Sequence, residues 1–305
     1  MQYFLVSGEM RSGTTFLANL LNSQDNMVMY SDSLNTLFKD ANNYNIQNIR
    51  KPLKEFQLNA IINELIAIGR LYNLNLEGLK GTPLGDLYDI LSYCLNTIAE
   101  NEKKGATSFV GVKRTRERGL IKSLLDNGVK VVYCMRDPRD VILSSKNRFS
   151  GFSLNFTLRS WHESVDLCLR YKDHQNFHLI RYEDLMLNPE ATLEKLAEFL
   201  NVEKIRSDFD SLKSHGDKKY IDNSSFGDVK KLFDTSGVYR FKSVKDTKTI
   251  DYVTVNSKRK LKLVGYDNSF NQGFGIGIKM RMQFALYLFT IHLKIFLRKI
   301  INRDN

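Results

Sequence analysis

Proline is scarce in this chain: four fall in 305 residues, and no proline- or serine-rich tract, internal repeat or low-complexity run divides it. Nothing marks a linker, and the length suits one large α/β unit with room for a substantial core. Cysteine is equally sparse, and Cys94, Cys134 and Cys168 are odd in number, dispersed and set in apolar runs. That excludes a disulfide framework and implies buried, reduced thiols. None of the five histidines takes a metal-ligand spacing with them, so no metal centre is expected. The basic-aromatic interleaving of a nucleic-acid binder is also missing, which makes nucleic acid the weakest explanation of the net charge of +11. An acidic glycan, an anionic cofactor and an anionic membrane surface remain. The chain opens directly on the apolar run Tyr3 to Val6, so neither a signal peptide nor an N-terminal anchor is expected.

What is present begins at Gly8. The first apolar run passes through a glycine-bounded loop into an apolar-periodic segment, the order of strand, phosphate loop and helix. Gly8 and Gly13 carry the G-x-x-x-x-G spacing of a nucleotide loop, but Thr14 stands where triphosphate chemistry needs a lysine. Arg11 supplies positive charge from inside the loop instead. The Thr14 and Thr15 hydroxyls join the backbone N–H groups of a helix N-terminus, which together suit an anion. A second element repeats the plan. Lys130 to Met135 is a β-branched apolar run, as in a buried parallel strand. It ends in Arg136, after which Asp137 and Pro138 open a helix as N-cap and first-turn residue. A metal-dependent nucleotide enzyme places Asp at that strand mouth; an arginine there suits a phosphate. Taken alone, Arg136 fits a structural ion pair equally well, and Ser144 an ordinary helix serine.

Together the two elements resemble the sulfotransferases that use 3′-phosphoadenosine 5′-phosphosulfate (PAPS), in the bacterial carbohydrate and tyrosylprotein branch. Arg11, Ser12, Gly13, Thr14 and Thr15 match the loop that holds the 5′-phosphosulfate. Arg136 and Ser144 match the pair that grips the 3′-phosphate. Arg181 to Leu185 resembles a further signature, read as structural: a strand feeding a helix whose apolar face is Leu193, Leu196, Ala197 and Leu200. Asn223 to Phe226, with Gly237 and Arg240, occupies the place of the loop over the 3′-phosphate and adenine, although Val238 and Tyr239 depart from its usual pattern. Trp161 aligns with a family tryptophan and reads as core. The resemblance spans residues 3 to 245.

The resemblance implies an α/β, three-layer P-loop-type fold with a mainly parallel central sheet flanked by helices. Residues 1–265 form the sulfotransferase domain and 266–305 a basic, apolar helical extension. PAPS is then the co-substrate, with no metal, and a sulfuryl group passes in line to an acceptor hydroxyl. The catalytic residues it implies are Arg11, Lys113 and Asp32. The strand Ser108 to Lys113 leads into Arg114 and Arg116 without the histidine base of many relatives. Asp32 instead aligns with the Glu base of a second branch, and Glu117 is the fallback. Lys113 is placed at the transferring group, its plainer role being a strand-end cation.

Helical periodicity at Leu58, Ile61, Ile62, Leu65 and Ile66, and at Leu87, Leu91, Leu95 and Ile98, predicts helices walling an acceptor pocket, with a loop at Asn42 to Asn45. A glycan hydroxyl is the expected acceptor. A small alcohol, a lipid, a tyrosyl group, a silent nucleotide-binding membrane tether and a P-loop kinase are the alternatives. Beyond a turn at Gly273, Gly275 and Gly277, the apolar stretch Phe284 to Leu297 is flanked and interrupted by Lys279, Arg281, His292, Lys294, Arg298, Lys299 and Arg303. It falls short of the roughly 20 apolar residues of a span. A helix lying in a membrane interface and a helix docked on the domain or on a second subunit both remain open. Golgi carbohydrate sulfotransferases carry an anchor, so its absence here implies a bacterial-type enzyme of the cytoplasm or of the membrane's inner face. The sequence leaves the oligomeric state open.

Overall fold

The computed structural model describes residues 1–31, 34–71, 73–102, 108–208, 212, 232–245, 247–267 and 274–301. Five short apolar runs become strands: β1 (Gln2–Gly8), β2 (Met27–Ser31), β3 (Phe109–Lys113), β4 (Lys130–Met135) and β5 (Phe177–Arg181). They form one sheet in the order β2-β3-β1-β4-β5, and every neighbouring pair is parallel. The expected α/β fold is the observed one, with a sheet that is wholly parallel among the described residues. Parallel neighbours need crossovers, which helices supply. Between the strands lie α1 (Thr14–Asn22), α2 (Asn35–Asn43), α3 (Glu55–Leu71), α4 (Leu87–Glu102), α5 (Ile121–Asp126), α6 (Pro138–Arg148) and α7 (Leu154–Tyr171); after β5 come α8 (Tyr182–Leu187), α9 (Pro189–Leu200), α10 (Thr247–Leu263) and α11 (Phe274–Ile301).

Two compact units divide these elements. The first, residues 1–136 and 167–235, holds the whole sheet. Phe4, Leu5, Val6, Val131, Val132 and Tyr133 are buried along its central strands. Runs that are apolar without alternation belong to strands covered on both faces. The predicted helical stripes are in place: α3 buries Ile61, Ile62, Leu65 and Ile66, α4 buries Leu87, Leu91, Leu95 and Ile98, and α9 buries Leu193, Leu196, Ala197 and Leu200. Of the loop expected at Asn42 to Asn45, Tyr44 and Asn45 form a turn, but Asn42 and Asn43 are helical. Asn42 and Asn43 form the last turn of α2, where Asn42 Nδ2 donates to the Phe38 carbonyl at 3.0 Å. Asn45 then takes a φ of 52°, a left-handed conformation that asparagine tolerates. All three cysteines are buried, free thiols; burial pushes Cys94 and Cys134 up to about 12 and raises Cys168 as well.

The second unit, residues 137–166 and 236–305, is built from α6, most of α7, α10 and α11. Its core gathers Ile142, Leu158, Tyr252, Val253 and Phe284. Trp161 is fully buried, as expected of a core residue. Beside it, His162 lies 3.0 Å from the Ser257 hydroxyl, and its ring meets Phe284 edge-on at 5.4 Å. Of the expected turn, Gly273 lies outside the described residues, while Gly275 and Gly277 lie inside α11, because the helix already starts at Phe274. Gly277 is buried, and Asn256 Nδ2 reaches the Met280 carbonyl at 3.4 Å, so α11 lies close on α10. Among the described residues, no helix is long and apolar enough to cross a membrane.

Candidate active site

Parallel strands place all their carboxyl ends on one edge, the edge at which open α/β sheets bind ligands. In the first unit that edge carries Ser31 from β2, Lys113 from β3, the loop after β1, and Arg181 from β5. Lys113 stands in register with both Val6 and Ser31, so it sits between the end of β2 and the phosphate loop. Met135 is level with Arg181, which sets Arg136 one residue beyond the strand.

The loop itself is shaped by two glycines. A Cβ on Gly8 would lie 2.2 Å from the Cys134 carbonyl oxygen, and one on Gly13 would lie 2.7 Å from Tyr182 Cδ2. Gly13 also has a φ of 84°, where a side chain is strained, and it caps α1. α1 has no acidic residue in its first turn and no side-chain cap, which leaves its leading N–H groups and its dipole for an anion. The Ser12 hydroxyl is buried in the loop with no hydrogen-bond partner among the described residues. Burying a donor without a partner costs about 1–3 kcal/mol, a debt that a ligand oxygen would cancel. Arg11 takes a φ of 65°, and its carbonyl accepts Arg136 Nη1 at 3.1 Å.

Arg136 is buried, and its guanidinium lies 4.3 Å from the centre of the Tyr182 ring. Tyr182 therefore packs against Gly13 and Arg136 at once. Sequence reasoning took the segment around it as merely structural; here it fixes both the loop and the arginine. Glu9 was also missed. Fully buried inside the loop, it accepts Arg116 Nε at 2.5 Å and Arg118 Nη2 at 2.9 Å. Arg116 N also donates to the Gly8 carbonyl at 2.9 Å, so the segment after β3 is strapped to the loop after β1. The cluster Arg114, Arg116 and Arg118 was the available sequence signal.

Lys113 is buried at its strand end. Asp32 lies outside the described residues. Glu117, the fallback base, is a buried turn cap. Its Oε1 accepts the Leu120 N–H at 2.8 Å, and desolvation raises its pKa from the ordinary value.

The second unit holds the remaining predicted residues. Asp137 caps α6 as expected, accepting the Arg139 N–H at 2.9 Å, and its carboxylate also binds the Arg139 guanidinium through two nitrogens, at 2.9 and 2.6 Å. Arg139 lies 3.8 Å over the Phe241 ring, while Asp140 Oδ1 accepts the Phe241 N–H at 2.9 Å. These two residues anchor the segment carrying Gly237 and Arg240. Arg240 Nε donates to the Ser236 carbonyl at 3.0 Å, and Ser144 is buried on α6. Asn223 to Phe226 lie outside the described residues.

A model of the sulfotransferase domain matches residues 2–264. The chain belongs to the sulfotransferase family. Two solved structures share the sulfotransferase fold. The sulfotransferase domain of the Synechococcus PCC 7002 olefin synthase matches with a TM-score of 0.51 at 17% identity, covering 87% of this chain and 94% of that one. The sulfotransferase domain of the curacin biosynthetic pathway matches at 0.50 and 16%, covering 88% and 99%. Among curated relatives, the 3-beta-hydroxysteroid sulfotransferase of Cavia porcellus is 29% identical over 26% of this chain and 33% of its own length. The chain thus spans about a third of the length of the curated relatives it matches. Chemically, this sulfotransferase-family site offers helix N–H groups, hydroxyls and an anchored guanidinium around one loop, an arrangement suited to a phosphate. Among the described residues, no group of three or more His, Cys, Asp or Glu is disposed to hold a metal ion.

Proposed function

We propose that the protein transfers a sulfuryl group from PAPS to a hydroxyl of a carbohydrate or lipid-linked glycan. The observation that carries this reading is the loop with Thr14 in the lysine position, together with Arg136 bonded to the Arg11 carbonyl where a metal enzyme would present Asp. In this reading the N–H groups at Gly13, Thr14 and Thr15, with the Ser12, Thr14 and Thr15 hydroxyls, hold the 5′-phosphosulfate. Arg136 and Ser144 hold the 3′-phosphate, and Gly237 and Arg240 cover it. Asp32 takes the acceptor proton as the acceptor oxygen attacks sulfur. The sulfur–oxygen bond to the phosphate breaks, and adenosine 3′,5′-bisphosphate leaves. Arg11 and Lys113 offset the charge that grows on that leaving group, and no metal takes part.

Calorimetry tests the cofactor: adenosine 3′,5′-bisphosphate should bind far more tightly than ATP with Mg²⁺. The Asp32→Asn variant should keep that affinity while turnover falls by about 10²–10⁴-fold. Preference for ATP with Mg²⁺ would make the protein a kinase, and binding without turnover on any acceptor would leave a silent tether. A lipid alcohol is the second acceptor reading, since the curated relatives that match are named hydroxysteroid sulfotransferases. Faster transfer to sterols than to glycans in a common assay would select it. The working place in this reading is the cytoplasm, with α11 as a peripheral contact on the inner face of the membrane.

A further inference from the structure

α11 has two apolar faces, and the second unit uses one of them. Gly277 and Phe284 are buried, while Met280, Tyr287 and Leu288 pack against Ile142, Leu158, Tyr252 and Val253. On the other face Ile278, Met282, Leu286, Phe289, Leu293 and Phe296 are between 44% and 68% exposed. Their spacing of three or four residues is that of a single helix face. From Ile278 to Phe296 the stripe is roughly 27 Å long at the α-helical rise. Exposed apolar residues scattered singly are ordinary, whereas a continuous row of this length marks a contact surface.

The charges name the occupant. From Phe274 to Ile301 the sequence has no Asp or Glu, and it contains Lys279, Arg281, Lys294, Arg298 and Lys299. At about 100° per residue, Arg281 and His292 fall along one side of the stripe and Lys279 and Lys294 along the other. A second copy of the helix would set like charge against like on both flanks. An anionic bilayer satisfies the cations with headgroups and the stripe with the acyl boundary.

We infer that the stripe Ile278 to Phe296 is the membrane-facing surface, lying in the plane of an anionic bilayer with Lys279, Arg281 and Lys294 at headgroup level. This deepens the membrane contact proposed above and rests on that reading. The inward face stays on its own core, so binding needs no unfolding of α11.

Vesicle co-sedimentation of the full chain, without nucleotide or acceptor, tests it. Phosphatidylcholine mixed with phosphatidylglycerol should bind the protein, and phosphatidylcholine alone should bind about tenfold more weakly or worse. Lys279→Glu should weaken binding at least about fivefold, the usual effect of one surface cation. The pair Leu286→Glu and Phe289→Glu should abolish it. Leu71→Glu, at a residue 80% exposed on α3, should leave it unchanged. Melting temperature and bisphosphate affinity, read on every variant, separate a failed surface from a failed fold or a failed nucleotide site. Equal binding to neutral vesicles, absence of binding, or a dimer dissolved by the same paired substitution would each overturn the inference.

Discussion

The phosphate-loop edge of the first unit and α11 of the second are both rich in cations, and they use them in opposite ways. At the edge Arg116, Arg118 and Arg136 are positioned from within: Glu9 holds the first two, while the Arg11 carbonyl and the Tyr182 ring hold Arg136. On α11 the cations flank a row of exposed apolar side chains, and the helix has no acid to hold them. Fixed, buried charge recognises a small anion by its geometry. Outward charge beside apolar surface recognises an extended, fluid anion by its area. The same residue types thus serve a point and a plane.

The contrast breaks most severely at Glu9. Glu9→Gln would leave the two arginines facing each other without their carboxylate, and should cost about 3 kcal/mol of stability in urea titrations. No loss there would mean that the strap between β1 and β3 is decorative. Arg136→Ala should weaken adenosine 3′,5′-bisphosphate about 100-fold by calorimetry, and Arg136→Lys should restore only part, because the guanidinium fork is lost. Gly13→Ala meets both a left-handed φ and the Tyr182 ring, so a loss of about 2 kcal/mol is expected. Adding Tyr182→Ala should return the steric share of that loss and leave the backbone share.

His162 sharpens the comparison from the other side, since it tests whether the inner face of α11 is as fixed as the loop. Burial first, and then the Lys260 charge, lower its pKa to about 4 against the opposing pull of Asp166. Between pH 6.5 and 4 the unfolded chain therefore holds the proton that the folded chain refuses. Stability falls as pH drops through that window and is flat with respect to this group above it. About 2 kcal/mol should disappear between pH 7 and pH 5. His162→Gln should lack that slope, and an unchanged slope would show the packing around Phe284 to be loose.

Much of the loop was legible in the sequence because its chemistry is local. Glycine spacing, the missing lysine, the arginine ending β4 and the Asp137 cap each concern neighbouring residues. What stayed hidden depends on pairing across long separations. Glu9 meets Arg116 only because β1 and β3 are adjacent in the sheet, and Tyr182 meets Gly13 only because β4 brings β5 alongside. The glycines of α11 misled for a related reason. Glycine usually breaks helices, but Gly277 lies where α11 comes close to α10, and packing overrides the local preference.

The buried thiols give the fold a built-in clock. Thiolates attack disulfide reagents and thiols do not, and Cys94, Cys134 and Cys168 are both shielded and held protonated in the folded chain. Each can react only during the moments when its surroundings part. Cys134 times the opening of the central sheet, Cys94 that of α4 and Cys168 that of α7. Three labelling rates read from one unmodified protein would rank how often each of these elements lets go.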